Sequence, residues 1–167
     1  MSLYTEWLNE IKTSAEPSWL THNQSIAYEN IVKKWQSHPF ICLYGAAGCG
    51  KSFIARLLCK YHDYTYSYSN LNETPANSRH VVLDDANYSR NLRAVAQTLG
   101  LGRVLLLMRQ APREVMPSWE IRLTHEDVDA FISVLHRHKI LTSLEQEYAT
   151  TNLDNILQQE ARRKMGI

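Results

Sequence analysis

The sequence predicts an α/β fold, a mostly parallel sheet of about five strands with helices on both faces and a small helical lid at its C-terminal end. Short apolar runs at 40–44, 81–83 and 104–108 alternate with segments whose apolar residues recur every three or four positions, as strands joined by helical crossovers do. The run Val104-Leu105-Leu106-Leu107-Met108 has no polar member, as a strand buried on both faces requires. Between the first run and the next helical pattern, Gly45-Ala46-Ala47-Gly48-Cys49-Gly50-Lys51-Ser52 matches G-x-x-x-x-G-K-[ST], a phosphate-binding turn that needs a strand before it and a helix after it.

Taken in order, Leu3, Tyr4, Trp7, Leu8 and Ile11 form one apolar stripe on a helix over about 2–13, which either covers the domain or meets a partner. Ser14-Ala15-Glu16-Pro17 interrupts it, and Thr21 with Gln24 is spaced as a capping box opening a second helix to about Trp35. Gln24 is also similar to the adenine-reading glutamine upstream of the phosphate loop in some helicases. After the strand Phe40–Tyr44 and the loop, Phe53, Ile54, Leu57, Leu58 and Tyr61 give the buried face of a helix starting at Lys51. Tyr64-Thr65-Tyr66-Ser67-Tyr68 alternates with period two, the mark of a strand solvated on one side at a sheet edge. Its tyrosines either pack that edge or form a platform for stacked bases.

Residues 70–77, with Pro75, form a loop before Val81-Val82-Leu83, a short strand that ends in Asp84-Asp85. Leu92, Val95, Ala96 and Leu99 mark a helix closed by Gly100 and Gly102. Pro112 and Pro117 bound the loop after the apolar strand, and Trp119–Leu123 reads as a last short strand. Thr124 caps a helix carrying Val128, Phe131, Ile132 and Leu135. His136-Arg137-His138-Lys139 suits that helix's carboxyl end through the macrodipole and equally forms a small anionic-ligand patch. Two further helical patterns, about 143–148 and 153–163, finish the lid, and Arg162-Arg163-Lys164 is a candidate nucleic-acid contact.

With 167 residues, 44% of them hydrophobic, the chain builds one well-buried core and not two full domains. The expected division is an N-terminal amphipathic helix at 1–16, a core at 17–123 and the helical lid at 124–167. A balance of 18 basic against 17 acidic residues leaves +1, so no global field draws the chain to DNA, RNA or an anionic membrane. Any nucleic-acid contact comes from a local patch. Cys42, Cys49 and Cys59 have no metal-ligand spacing and an odd count, which fits a reducing cytosol. No apolar run approaches the roughly 18 residues that span a bilayer, and the N-terminus lacks a signal pattern, so a soluble, cytoplasmic protein is expected.

The loop's chemistry follows from its backbone. Successive N–H groups from Gly45 to Phe53, through Ala46, Ala47, Gly48, Cys49, Gly50, Lys51 and Ser52, would curl around the phosphates of a nucleotide at the positive end of the next helix. Lys51 would reach the β- and γ-phosphates, and the Ser52 hydroxyl would ligate Mg²⁺. Asp84 stands where the Walker B acid holds the metal, and Asp85 where the next acid orients or deprotonates water, unless the pair caps the following helix. Arg109 and Gln110 end the apolar strand on the side where open α/β sheets bind ligands, either facing the γ-phosphate or lying at the surface.

The order phosphate loop, edge strand, double-acid strand, helix, apolar strand with a polar tip, short strand and helical lid resembles the AAA+ ATPases, specifically the compact bacterial replication initiator and helicase-loader branch. The resemblance covers about 19–163 and implies a three-layer P-loop NTPase fold, ATP or ADP with Mg²⁺ as cofactors, and roles for Ser52, Asp84 and Asp85 at metal and water. It maps the branch's nucleotide sensor loosely onto Arg109 or Gln110. Two departures stand out. The segment from Arg109 to Thr124 is short and has no Ser-Arg-Leu finger, leaving Arg113 and Arg122 as candidates, and Asn152-Leu153-Asp154 offers no arginine where relatives place one. Leu83-Asp84-Asp85-Ala86 is also similar to superfamily 3 viral helicases, which carry an asparagine at the end of the next strand.

These readings imply an ATP-binding protein and slow ATPase, Lys51, Asp85 and Arg109 acting in catalysis. Its nucleotide state would govern a protein partner in nucleic-acid processing, with any nucleic-acid contact indirect, no membrane, and oligomeric state open. The alternatives are a small-molecule phosphotransferase using Arg109, Arg113 and Arg122 to neutralise a transferred phosphoryl group, and a nucleotide-stabilised interaction module without catalysis.

Overall fold

The computed structural model describes residues 3–34, 38–68, 70–85, 88–140 and 152–166. Helix α1 (Leu3–Ser14) and a 3₁₀ turn (Pro17–Trp19) precede α2 (His22–Lys34), after which strands and helices alternate: β1 (Phe40–Tyr44), α3 (Lys51–Tyr61) and β2 (Tyr64–Tyr68). A second 3₁₀ turn (Leu71–Glu73) leads to β3 (His80–Asp84), α4 (Arg90–Thr98) and β4 (Arg103–Met108). The chain continues through β5 (Ser118–Glu120), α5 (His125–Arg137) and α6 (Leu153–Met165). The helical pattern at 143–148, Ser2 and Trp35 lie outside the described residues.

The five strands form one sheet in the order β2-β3-β4-β1-β5, every pair parallel. The alternating strand β2 is at one edge, and all-apolar β4 lies between β3 and β1, as their patterns require. Two strand spacings therefore separate β1 from β3, about 10 Å between backbones. Because all strands run the same way, the glycine loop after β1, the acids after β3 and the polar tip of β4 emerge along one edge of the sheet.

Alternate side chains serve the two faces. Ile41, Leu43, Val82, Leu105 and Leu107 join Ile11 of α1, Ile31 of α2, Ile54 of α3, Phe131 of α5 and Ile156 of α6 in one buried cluster. Phe40, Cys42, Val81, Leu83, Val104 and Leu106 meet Ala96 of α4 and Leu71 on the other. The α1 stripe buries only part of its length: Ile11 is buried, whereas Leu3 is 71% exposed.

The last strand is shorter than its pattern suggests, ending at Glu120 and not at Leu123. Ile121 N–H still donates to Tyr44 O at 2.8 Å, but β1 ends there and turns into the glycine loop, so the ladder has no further partner. Thr124 and Asp127 close a full capping box on α5, and the Asn23 amide of α2 donates to Asp127 Oδ2 at 2.6 Å. Burial pushes the Asp127 carboxyl up, yet the donors from Thr124 and Asn23 outweigh it and hold its pKa below the ordinary value. In α6 the fully buried Glu160 accepts a two-pronged pair from Arg163 at 2.6 and 2.7 Å. No helix among the described residues is long and apolar enough to cross a membrane.

Candidate functional site

The glycine loop is shaped by three positions where a side chain has no room or the wrong backbone. A Cβ on Gly45 would stand 2.6 Å from Ile121 O and 2.8 Å from Cys49 Sγ. Gly48 and Gly50 have φ of 76° and 100°, in the left-handed region that glycine enters without strain. Gly50 directly precedes α3 and supplies no side-chain cap, so the N–H groups of that helix's first turn have no partner within it and open toward the loop. Such a helix start favours an anion. Lys51 Nζ lies across the same turn, donating to Gly45 O at 2.6 Å and Ala46 O at 3.0 Å.

Two residues outside the motif hold the loop from behind and from the side. Gln24, 2% exposed, accepts from Thr21 N–H at 3.0 Å and donates through Nε2 to Cys49 O at 2.9 Å. It therefore fills the capping role and braces the loop with the same amide. The Asn152 side chain occupies the space beside Gly48 where a Cβ would go, and Leu153 N–H donates to Gly48 O at 2.8 Å. The start of α6 thus rests on the loop.

Across the end of β4 stand the two acids. Asp84 Oδ1 accepts from Asp85 N–H at 2.9 Å, and Asp84 Oδ2 accepts from the Tyr66 hydroxyl. Asp85 has a φ of 54° and accepts from the Tyr68 hydroxyl at 2.9 Å. Neither carboxylate caps α4, whose N-cap is Ser89 accepting from Leu92 N–H, so the helix-cap alternative for the pair is set aside. Burial first, then the hydrogen bond to Asp84, raises the Tyr66 pKa, while the hydrogen bond to Asp85 leads in raising that of Tyr68.

A cavity of about 1030 Å³ joins these parts. Ala47, Gly48, Lys51 and Ser52 line one side, Asp84 and Asp85 another, and Arg109, Gln110 and Arg113 the β4 end. A narrower cleft of about 90 Å³ on the far side of the loop is lined by Gly50, Phe53 and Gln24 with Trp19, Phe131 and Leu153. Gly45, Ala46 and Cys49 face neither opening. Cys49 is buried and lies 3.8 Å from Lys51 Nζ; burial raises its thiol pKa, and Lys51 pulls it back. Arg122 does not line the cavity; it pairs with Glu120 at 3.2 Å on the surface.

The residues present suit a magnesium nucleotide. A left-handed glycine pair, an uncapped helix start, an ammonium and a hydroxyl line the same cavity as two carboxylates, with β4 between the strands that carry them. Among the described residues no group of three or more His, Cys, Asp and Glu converges. Magnesium bound through one hydroxyl, one carboxylate, phosphates and water needs no such group.

Sequence reasoning missed the Tyr66–Asp84 and Tyr68–Asp85 contacts and the second bond of Gln24. The period of β2 put Tyr64, Tyr66 and Tyr68 on one face, but only the parallel register, Tyr68 opposite Asp84, brings the last two beside the acids.

No family model matches the chain, and no curated protein matches it. Among solved structures it is similar to a chain in the structure of Drosophila ORC bound to DNA, at 13% sequence identity and a TM-score of 0.43, with 99% of this chain covered. The chain spans 62% of the length of that one.

Proposed function

We propose that the chain is a magnesium-dependent ATP-binding protein and slow ATPase, whose nucleotide state switches its contact with a protein partner in nucleic-acid processing. The observation that carries this reading is the single cavity bounded by Lys51 and Ser52, Asp84 and Asp85, and Arg109. In it, the loop amides and Lys51 would hold the phosphates, and Ser52 and Asp84 the Mg²⁺, which neutralises charge on the transferred phosphoryl group. Asp85 would orient the attacking water, and Arg109 would meet the γ-phosphate. Turnover is slow in this reading because Asp85 is shorter by one methylene than the glutamate commonly found there, and its carboxylate is engaged by Tyr68.

Calorimetry with ATP, ADP and a nonhydrolysable analogue, with and without Mg²⁺, tests binding, and phosphate release on the same sample tests hydrolysis. Submillimolar, Mg²⁺-dependent ATP affinity is expected; its absence ends the proposal. A second reading, a phosphotransferase acting on a small hydroxyl compound, is favoured by Arg113 and Glu114 at the far end of the same cavity. Stoichiometric phosphate transfer to a metabolite, unaffected by protein or DNA, selects it.

A further inference from the structure

The end of β2 places a hydroxyl on the carboxylate that the proposed ATPase needs for its water. Three hydroxyl side chains line the nucleotide cavity, those of Ser52, Tyr68 and Tyr88. Ser52 is assigned to the metal, and the Tyr88 ring packs edge-on against Phe40 with centroids 5.1 Å apart. Of the three, and among the described residues, only Tyr68 rests its hydroxyl on a carboxylate, donating to Asp85 Oδ2 at 2.9 Å. Backbone geometry sets this bond. The parallel register puts Tyr68 opposite Asp84, and the left-handed turn at Asp85, with φ 54°, is pinned by its own N–H on Asp84 Oδ1 at 2.9 Å. Asp85 is thereby kept on Tyr68 while Asp84 is kept on Tyr66. The Tyr68 ring is 59% exposed and belongs to neither core cluster, so core packing does not hold it back from the cavity.

A hydroxyl already hydrogen-bonded to a carboxylate is the acceptor arrangement of phosphoryl transfer, in which an aspartate takes the hydroxyl proton as the oxygen attacks phosphorus. Water is the competing nucleophile, and it has to displace Tyr68 from Asp85 Oδ2 to be activated there. We infer that Tyr68 is itself a phosphoryl acceptor, and that the chain phosphorylates this tyrosine from the ATP it binds. Tyr68 Oη forms a bond to the γ-phosphorus, the bond from that phosphorus to the β–γ bridging oxygen breaks, and its electron pair leaves with ADP. The phenolic proton passes to Asp85. The inference rests on the reading of the cavity as an ATP site and supplies a regulation of that site. Phosphotyrosine carries about −1.5 to −2 charges at neutral pH, and beside Asp84 and Asp85 that charge repels a second triphosphate. Each chain therefore reacts once, and the β2 edge changes charge as it does.

The test incubates the full chain with Mg²⁺ and ATP radiolabelled at the γ-phosphate, locates covalent label by mass spectrometry of the denatured protein, and measures ATP binding by calorimetry on the same samples. Up to one alkali-stable phosphoryl group per chain is expected on Tyr68, with ADP appearing ahead of free phosphate and a rate constant unchanged by tenfold dilution. Tyr68→Phe should lose the label and still bind ATP. Asp85→Asn should bind ATP and take up label at least about 100-fold more slowly. Tyr61→Phe, which alters an exposed ring on α3 outside the cavity, should take up label as the parent chain does. ATP binding without label, label on a residue other than Tyr68, an undiminished rate in Asp85→Asn, or a rate constant that falls with dilution overturns the inference and leaves the nucleotide reading standing. Absence of ATP binding sinks both.

Discussion

Gly50→Ala, alone and combined with Gln24→Ala, measures how firmly α2 braces the phosphate loop. An alanine at φ 100° carries backbone strain of about 1–3 kcal/mol. Its Cβ would also overlap Gln24 Nε2, and the amide escapes only by giving up its bond to Cys49 O. Both residues are buried, so the abandoned carbonyl costs about 1–3 kcal/mol more, for a total near 2–6 kcal/mol. Gln24→Ala by itself orphans Thr21 N–H as well as Cys49 O, again about 2–6 kcal/mol. In the double variant the overlap vanishes and the Cys49 bond is lost only once. The pair should therefore fall short of the sum of the singles by about 1–3 kcal/mol. Urea unfolding of the four proteins reads this directly, provided the denaturant slopes agree. Additivity within about 0.5 kcal/mol would show that Gln24 and Gly50 do not meet as described, and the bracing account would be wrong.

Four further outcomes are expected. Lys51→Ala should weaken ATP binding well beyond tenfold, because an ammonium–phosphate contact is worth several times the roughly 1.4 kcal/mol of one decade; calorimetry showing an unchanged affinity contradicts the loop assignment. Tyr66→Phe removes the hydroxyl that competes for Asp84 and should lower the Mg²⁺ concentration for half-maximal ATP binding about fivefold, from a hydrogen bond worth about 1 kcal/mol; no shift argues against Asp84 as the metal acid. Asp127 has a folded pKa below 3.8, so its stabilisation is complete above that value and is lost as pH falls through the folded one. Asp127→Asn should accordingly flatten the acid side of a stability–pH curve taken from urea midpoints. Arg163→Met leaves the buried Glu160 carboxylate facing Lys164 at 3.9 Å and should cost about 3 kcal/mol, part of it recovered when Glu160→Gln is added.

The sheet was legible because burial on both faces leaves a plain trace: Val104–Met108 admits no polar residue, and its place beside β1 and β3 follows. The loop was legible because glycines at Gly48 and Gly50 answer to a backbone requirement that no other residue meets cheaply. Tertiary register is what the chain did not display. Tyr66 and Tyr68 read as edge packing or as a platform for bases because nothing in their spacing says which β3 residue stands opposite. The Asn152 contact joins positions 104 apart, well beyond any local pattern, and the shortening of β5 depends on where its partner β1 ends and not on its own residues. Gln24 was readable as a cap from its spacing to Thr21, but its second bond needed the packing of α2 behind the loop.

The Leu153 N–H on Gly48 O makes α6 a pointer. Its 13 residues form a stiff rod about 20 Å long, with Arg162, Arg163 and Lys164 in its final turn. The pointer is fixed in place: Ile156 sits in the core and Arg163 grips the buried Glu160, so the glycine carbonyl at one end is steadied by packing along the whole rod.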